Sequence, residues 1–542
     1  MAIFGIFDIG RSAILASRTA LDVTANNIAN VNTPGFSRKE AVFDIPTPER
    51  TRGGFIGRGV TVSTVRRHYD KLLQEQVLVQ EQNLARANIL GDVFRQVEEV
   101  FNEQQYPKFS DSFNAYINAW QDVADNPESL PQRSVLLQRA KGLISTAKEM
   151  ERSLKETVKF ADIQIEDSID KINTITREIA TLNGMITKVE AGSSYEASDL
   201  RDKRDNLMRQ LSGLIGFNSF EDDVGRVTII VGNKTLVETE NSFDLSAVKN
   251  FDGTIDITAG NERFNDYITR GALSGLLASR QEVQEKPLKD LRRLIASIVK
   301  ETNLQHRQGY DLEGTTGNDF FSPLQLFTLD YSGGASVTSK SITDPAQLTL
   351  DEYEIRFSDP STYSVVDVTT NTTVIASAAY TSGSPISFDG IEVVVADDGG
   401  GPQAGDRFFI SPIERSIDNF GLNVSAAEEV AASASDSTLP GDNRNALALL
   451  DVYQGNVTDL GNSFNGYYST IIALTGTMSS TAQDSADFEQ SLLNELNQRR
   501  EAVSGVNLDE EAANLIRFQK AFEAGAKLIK ITDEMLEVIL NL

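Results

Sequence analysis

Leu508-Asp509-Glu510-Glu511-Ala512-Ala513-Asn514-Leu515-Ile516-Arg517-Phe518-Gln519-Lys520-Ala521-Phe522 opens a run in which large apolar residues return every seventh place. Leu508, Leu515, Phe522, Ile529 and Leu536 hold that place, and Ala521, Leu528, Met535 and Leu542 fill the adjacent one. Ile539 carries the apolar character on toward the end of the chain. The other terminus repeats the pattern with Phe7, Ile14, Leu21 and Ile28. A period of seven keeps one seam of a helix facing a partner helix along its length. Chain ends ordinarily fray for want of apolar surface. Here both ends read as helices built to pair, and as the part of the molecule that meets its neighbours.

The chain has 542 residues, 40% hydrophobic and 24% charged, which implies an ordinary folded protein of three or more domains. A net charge of −28 leaves no basic surface long enough for nucleic acid. The short basic stretches Arg50 to Arg58 and Arg66-Arg67 read as solvated loops or local ion pairs. There is no cysteine, so disulfides, thiol nucleophiles and thiolate metal sites are all excluded. No apolar run approaches the roughly eighteen residues of a membrane span. Met1-Ala2-Ile3-Phe4-Gly5-Ile6-Phe7-Asp8 lacks the basic start of a cleavable signal peptide, so an exported chain would keep its N-terminus.

Along the chain, residues 1–33 read as a helix stopped by Pro34-Gly35. Residues 36–66 read as an extended, glycine-rich connector with short β-like runs. Helices are expected over Tyr69–Phe101, over Ser110–Ala124 with Ser110 as the N-cap, and from Pro131 to about Val189. In the last of these, Ile165, Ile172, Ile179 and Ile186 form one heptad row, and Ile175, Leu182 and Val189 another. A bundle within the chain and a multi-chain rod both produce such a seam, and the helices on either side favour the bundle. A polar break, Ala191 to Ser198, precedes a helix over Asp199–Leu214. Short strands follow near 216–260, then a helix over Gly271–Gln305. From about Asp319 to Pro412 serine, threonine, glycine and valine dominate, which marks an inserted β domain. Helices resume over Asn443–Met478 and Ala482–Glu501. The fold class expected is mainly α with inserted β domains, in an elongated, folded-back, multidomain chain whose terminal helices pair as a coiled coil. Residues 1–50 with 501–542 would form the assembly domain. Residues 51–318 with 413–500 would form a helical bundle, and 319–412 an outer β domain.

Catalytic constellations are missing. His68 and His306 are the only histidines and lie far apart, so no two-histidine metal motif exists. Asp311-Leu312-Glu313-Gly314-Thr315 lacks the ligand spacing of a calcium loop and reads as a turn. The glycines from Gly399 to Gly405 have no Gly-Lys-Ser/Thr and do not open a helix. Acidic pairs such as Asp222-Asp223 and Asp397-Asp398 sit in turn-like contexts. No catalytic, cofactor or metal residue is nominated, and a non-enzymatic role is expected.

Ala25-Asn26-Asn27-Ile28-Ala29-Asn30-Val31-Asn32-Thr33-Pro34-Gly35-Phe36 closely resembles the N-terminal signature of bacterial flagellar rod, hook and hook-associated axial proteins. Ser37-Arg38 and the run Ser504 to Phe522 are similar to the hook-associated protein 1 members of that family. Rod and hook proteins carry an Ala-Gln-Arg-x-Tyr-like stretch where this chain has Phe518-Gln519-Lys520. Asp199 to Asp205, Asn303 to Asp311 and Gly405 to Phe408 agree more weakly. Phe36 and Phe522 stand where relatives often have tyrosine, keeping the ring and losing the hydroxyl.

The resemblance implies a structural adaptor ring at the hook–filament junction, needed for filament assembly, extracellular on the flagellum and exported by the type III apparatus without a cleavable signal. Its implied partners are further copies of itself, the hook protein below, a second junction protein above, and a cytosolic export chaperone on the C-terminal helix. Nucleic acid and membrane are not among them. The alternatives are another axial protein, hook or distal rod, and a secreted adhesin with a ligand-binding β domain. The expected assembly interface comprises Phe7, Ile14, Leu21, Asn26, Asn27, Ile28 and Asn30 at one end. At the other it comprises Leu508, Leu515, Phe518, Phe522, Ile529, Leu536 and Ile539. Asn26, Asn27 and Asn30 are poor helix-interior residues whose amides could bond neighbouring subunits. Asn32 is expected only to cap or fray the helix. Burying each large apolar side chain is worth roughly 1.5–3 kcal/mol, so the ends are expected to order only against a partner.

Overall fold

Helix and strand periods alternate along the chain much as the apolar spacing dictates. The computed structural model describes residues 2–33, 35–51, 54–102, 109–191, 196–250, 253–260 and 262–540. Pro34, Leu542 and positions 192–195 of the polar break lie outside these. The helices are α1 (Ala2–Ala29), α2 (Lys71–Phe101), α3 (Phe109–Asp125), α4 (Leu130–Glu190), α5 (Ser198–Leu214), α6 (Ala272–Val283), α7 (Lys289–His306), α8 (Arg444–Gln454), α9 (Phe464–Ser504) and α10 (Leu508–Leu540). With sheets inserted among them, the chain is a multidomain, mainly α protein carrying β domains. It divides into two compact units. The first comprises Met1–Ile89, Ile163–Leu277 and Gln483–Leu542, and the second Leu90–Asp162 and Ala278–Ala482.

In the first unit, α1 packs along α10 and against an antiparallel hairpin of strands Lys39–Asp44 and Thr61–Arg67. The stretch expected to be an open connector is therefore folded. Lys39 and Ala41 alternate inward on one strand and give the hairpin a buried face. Ile165, Ile172 and Ile179 of α4 are fully buried, as is Ile186, so this seam is satisfied within the chain. Its polar neighbours bind strands. Asn173 Nδ2 donates to the Leu245 carbonyl (2.9 Å) and Asn183 Nδ2 to that of Val227 (2.8 Å). The strands belong to a four-stranded sheet spanning 218–242 and a three-stranded sheet spanning 245–263. The second row, Ile175, Leu182 and Val189, is half-buried to exposed.

The second unit holds an aromatic core. Phe113 and Tyr116 of α3 meet Tyr453 of α8 at 6.0 and 5.5 Å between ring centroids, and Trp120 meets Phe320 at 5.4 Å. The Tyr116 and Tyr453 hydroxyls bond each other (2.8 Å), and Tyr453 also bonds Thr302 (2.9 Å). Residues 327–411 form the inserted β structure. One sheet runs in the order 327–331, 407–411, 353–359, 362–367, 372–379, and the other 335–342, 391–397, 385–388. Ile391, Val393 and Val395 alternate into the shared core with Ile355, Val365 and Phe408, the period-two pattern of a half-buried strand.

Several boundaries differ from the sequence reading, each for a local reason. Ser110 lies inside the first turn of α3 and does not cap it. The helix expected over 271–305 is interrupted by a π turn, Gln284–Leu288, around Pro287. Proline lacks an N–H and crowds the preceding turn, so the ladder widens there. The helix expected over 443–478 stops at Gln454, where the chain turns through Gly455 and through Gly461 at φ +61°. It then restarts at Phe464 and runs unbroken to Ser504, because the Ser-Thr stretch expected to end it does not break the ladder. Thr477 there returns its hydroxyl to the Ala473 carbonyl (2.8 Å), as serine and threonine do within helices.

His306 is structural. Its Nδ1 donates to the Asn318 carbonyl (2.7 Å) and its Nε2 accepts from the Ala431 N–H (2.9 Å), which requires a neutral ring. Burial lowers its pKa below the ordinary histidine value. The unfolded chain therefore takes up the proton first as pH falls. The contribution to stability is full above the unfolded-state value of about 6.5 and declines below it. Thermal melts at pH 7.5 and 5.5 should show this slope reduced in His306→Phe, and an unchanged slope would contradict it. His306→Ala should cost about 2–4 kcal/mol, since two buried backbone groups lose their partner.

Candidate assembly interface

The terminal seam is built from two rows on each helix, and apart from Phe518 large apolar residues supply only one. On α1, Ile14, Leu21 and Ile28 are half-buried, while Gly10, Ser17 and Thr24, seven apart in the neighbouring row, are buried. On α10, Leu515, Phe522, Ile529 and Leu536 are half-buried beside Glu511, Phe518, Gly525 and Thr532, of which all but the half-buried Phe518 are buried. Together the rows give the alternating four-and-three spacing of a coiled coil. The helix backbones run close together at the glycines. A Cβ on Gly525 would stand 3.0 Å from Ile14 Cγ1 and 3.2 Å from the Gly10 carbonyl oxygen, and one on Gly10 would stand 3.0 Å from Ile529 Cγ1. The large row stands out in the sequence and the small one does not. The signal available was the seven-residue spacing of Gly10, Ser17 and Thr24.

Other nominated residues are placed less uniformly. Phe7, Leu508 and Ile539 are exposed. The row of Ala521, Leu528 and Met535, expected to support the seam, instead faces solvent, because it lies outside the two rows that meet α1. Phe518 rests against Phe43 of the hairpin with ring centroids 5.9 Å apart.

The asparagines correct one expectation. Asn27 is buried and its amide is used within the chain. Its Nδ2 donates to the Lys39 carbonyl (2.8 Å) and to Glu511 Oε2 (3.1 Å), and its Oδ1 accepts from the Lys39 N–H (3.0 Å). An inward-facing amide at the end of α1 is taken by the chain reversal that follows, leaving nothing for a neighbour. Asn26 is exposed, and Asn30 Nδ2 returns to the Asn26 carbonyl (2.9 Å). Asn30 Oδ1 accepts from the Thr33 hydroxyl (3.1 Å), which ends the helix locally.

Glu511 ties the two ends of the chain together. Besides Asn27 it accepts from Arg38 Nε (2.8 Å), while Arg38 Nη1 reaches Glu510 (3.3 Å) and its backbone N–H donates to the Ser504 carbonyl (3.0 Å). Residues 36–39 are thus clamped to the junction between α9 and α10. The clamp continues into α5. Lys39 Nζ pairs with Asp199, and Arg67 Nη1 lies 2.8 Å from both Asp202 and Asp205. Burial works against the Arg67 charge, but Asp205 and Asp202 outweigh it and hold its pKa above the ordinary value. Burial raises Asp202 despite Arg67 and Lys39. At the same junction Asn507 caps α10, its Oδ1 accepting the Asp509 N–H (2.9 Å), and Asp509, Glu510 and Glu511 fill the positive first turn. Asn507→Ala should cost about 1 kcal/mol, read as a lower melting temperature for the C-terminal helix by circular dichroism.

Much apolar surface stays in water. Phe4 and Leu15 on α1 are exposed, as are Ile516, Leu528, Ile531, Met535 and Val538 on α10. No group of acidic or histidine side chains suited to a metal ion occurs among the described residues. No helix among them is long and apolar enough to cross a membrane. Asp311 is a turn residue, its Oδ1 accepting the N–H groups of Glu313 (2.9 Å) and Thr315 (2.8 Å).

Residues 94–321 match the model of the flagellar hook-associated protein FlgK helical domain. Over 98% of its length the chain is 28% identical to flagellar hook-associated protein 1 of Salmonella typhimurium, covering 98% of that protein. It is 26% identical to flagellar hook-associated protein 1 of Escherichia coli at the same coverage of both chains. The chain is similar to flagellar hook-associated protein 1 along almost its whole length. It is a structural component of the bacterial flagellum. Residues 7–36 match the model of the flagella basal body rod protein, and 498–542 that of the flagellar basal body rod FlgEFG protein C-terminal region. These two matches fall on α1 and α10, the helices that form the seam. The solved structure of the flagellar hook junction protein FlgK from Burkholderia pseudomallei shares the fold. Its TM-score is 0.67 at 18% identity, covering 79% of this chain and 100% of that one.

Proposed function

We propose that this chain is the adaptor between flagellar hook and filament, a non-enzymatic subunit whose copies join through α1 and α10 into a ring or short helical tube. The observation that carries the reading is the pairing of the two chain ends into one seam while a second set of apolar side chains on the same helices remains in solvent. A two-helix pair that leaves Ile531, Met535 and Val538 exposed is complete only among further copies. Contacts that join unlike faces of identical subunits generate rings or helical arrays. Residues 1–50 with 501–542 serve as the assembly domain, and the nominated apolar residues there contribute to it. Hook protein lies below the ring and a second junction protein above.

The subunit leaves the cell unfolded through the flagellar type III apparatus. A chain without cysteine suits this passage, since it forms no disulfide on the way. The exposed apolar side of α10 would aggregate in the cytosol, and an export chaperone covers it there. Catalysis has no part in the role.

Deletion of residues 505–542 tests the reading. Cells carrying it should build hooks, release flagellin into the medium and make no filaments. Normal filaments would refute it.

A further inference from the structure

The inserted β structure of the second unit borders a cleft that assembly through the terminal helices does not use. It opens between the C-terminal half of α7, the segment 323–326, the end of the strand 335–342 and the turn at 345–348, and encloses about 420 Å³. Small-molecule sites span roughly 300–1,000 Å³ and are mostly apolar, with a few placed polar groups. Val299, Leu304, Leu324, Leu326, Ile342 and Leu348 supply the apolar walls here. Lys300, Arg307 and Lys340 line the cleft as well, and no carboxylate does among the described residues. The chain has 78 acidic against 50 basic residues, so the cleft reverses the sign of the molecule as a whole.

Two of the three cations are already matched. Lys300 Nζ lies 2.6 Å from Asp459, and Arg307 donates through Nε and Nη2 to the two oxygens of Asp319 (2.6 and 2.9 Å). Asn303, also in the lining, uses its amide on the backbone of Phe320 and Phe321. Lys340 has no such partner. Its ammonium donates to the Thr328 hydroxyl (3.0 Å) and forms no ion pair among the described residues. Partial burial and the nearby Arg415 hold its pKa below the ordinary lysine value, against the pull of Asp330. The backbone sets its direction. The ladder between 335–342 and 391–397 shifts register between Val337 and Ser339, an irregularity of the kind that re-aims side chains. Beyond it Lys340 stands opposite Val393 and Ile342 opposite Ile391, both fully buried. Residues directly opposite share a face of the sheet, so the lysine stands on the inner face beside Ile342.

We propose that this cleft binds a small organic anion, its apolar body against Leu324, Leu326 and Ile342 and its acid group on the Lys340 ammonium. A carboxylate or sulfonate there pairs the one cation of the lining that the chain leaves unmatched. The apolar body takes the walls out of water, which a bare inorganic anion cannot do. The site uses residues of the second unit alone and is independent of assembly through α1 and α10.

Two probes separate the charge from the walls. Anilinonaphthalene sulfonate and phenylnaphthylamine, the same rings without the acid group, are each titrated into the full chain and followed by fluorescence. Lys340→Gln should weaken the sulfonate about fivefold, the upper range for a solvent-open ion pair, and leave the neutral probe unchanged. Lys340 is exposed, so this variant keeps the parent fold. Leu304→Trp, which fills the cleft from α7, should weaken both probes, with folding checked by circular dichroism. Exposed apolar side chains elsewhere, such as those on α10, add a background that neither substitution moves. Equal binding of the sulfonate by the parent and Lys340→Gln would overturn the proposal, and is the result if the lysine only keeps the strand edge from pairing. Binding of both probes unchanged in a folded Leu304→Trp chain would overturn it as well.

Discussion

Gly525→Leu is expected to abolish filament formation while leaving most of the chain folded. Even a Cβ at Gly525 would stand 3.0 Å from Ile14 Cγ1 and 3.2 Å from the Gly10 carbonyl oxygen. A leucine adds three further carbons in the same direction, toward a backbone atom that cannot turn aside. Overpacking at sites able to relax costs about 1–3 kcal/mol. Here the only relaxation is separation of α1 from α10, which surrenders the half-buried row Ile14, Leu21, Ile529 and Leu536 as well. Gly525→Ala should be milder, since Ile14 can shift by a few tenths of an ångström. Gly5→Ala, with nothing within 4 Å of the added carbon, serves as the control. Swimming halos and filament counts by electron microscopy read the effect. Normal filaments with Gly525→Leu would contradict the close-packed seam.

Glu511→Ala is expected to lower the stability of the terminal helices in the assembled protein by about 2–4 kcal/mol. Removing one member of a buried charged pair leaves the other uncompensated, at a cost of about 3–5 kcal/mol when burial is complete. Arg38 is partly exposed and keeps Glu510 at 3.3 Å, which moderates the loss. Asn27 keeps its Lys39 carbonyl but loses the carboxylate. Glu511→Gln should retain the Asn27 bond and fall between the two. A double-mutant cycle with Arg38→Ala, followed by urea denaturation, isolates the pair. Additive effects would show that the clamp does not couple the N-terminal segment to α10.

What could be read in the sequence follows from which interactions are local. The heptads Phe7 to Ile28 and Leu508 to Leu536 state their period in large side chains, so pairing of the ends was legible. So was the switch to strands after Asp319, where alternation such as Ile391, Val393 and Val395 replaces the helical period. The glycine row was not legible in the same way. Gly10 and Gly525 matter through what they lack, and their meaning appears only when another backbone approaches. The clamp was hidden because its members are separated by more than 470 residues, as between Arg38 and Glu511. Asn27 was recognised as unusual for a helix interior, but its partner came from the reversal at Lys39 rather than from a neighbouring subunit. Helix ends failed where a tertiary neighbour overrode propensity. The Ser-Thr stretch before Ala482 continues α9, where Ser479 and Ala482 are buried. The 36–66 segment folds as a hairpin because α1 gives it a surface.

On the proposed function, α1 and α10 are the assembly device, ordered fully only among copies. Hydrogen–deuterium exchange of residues 2–29 and 508–540, compared between the monomer and the assembled ring or tube, tests it most directly. Rapid exchange at both ends of the monomer and strong protection on assembly are expected, with the buried core of the second unit protected alike in both states. Equal protection of the two terminal helices before and after assembly would contradict it.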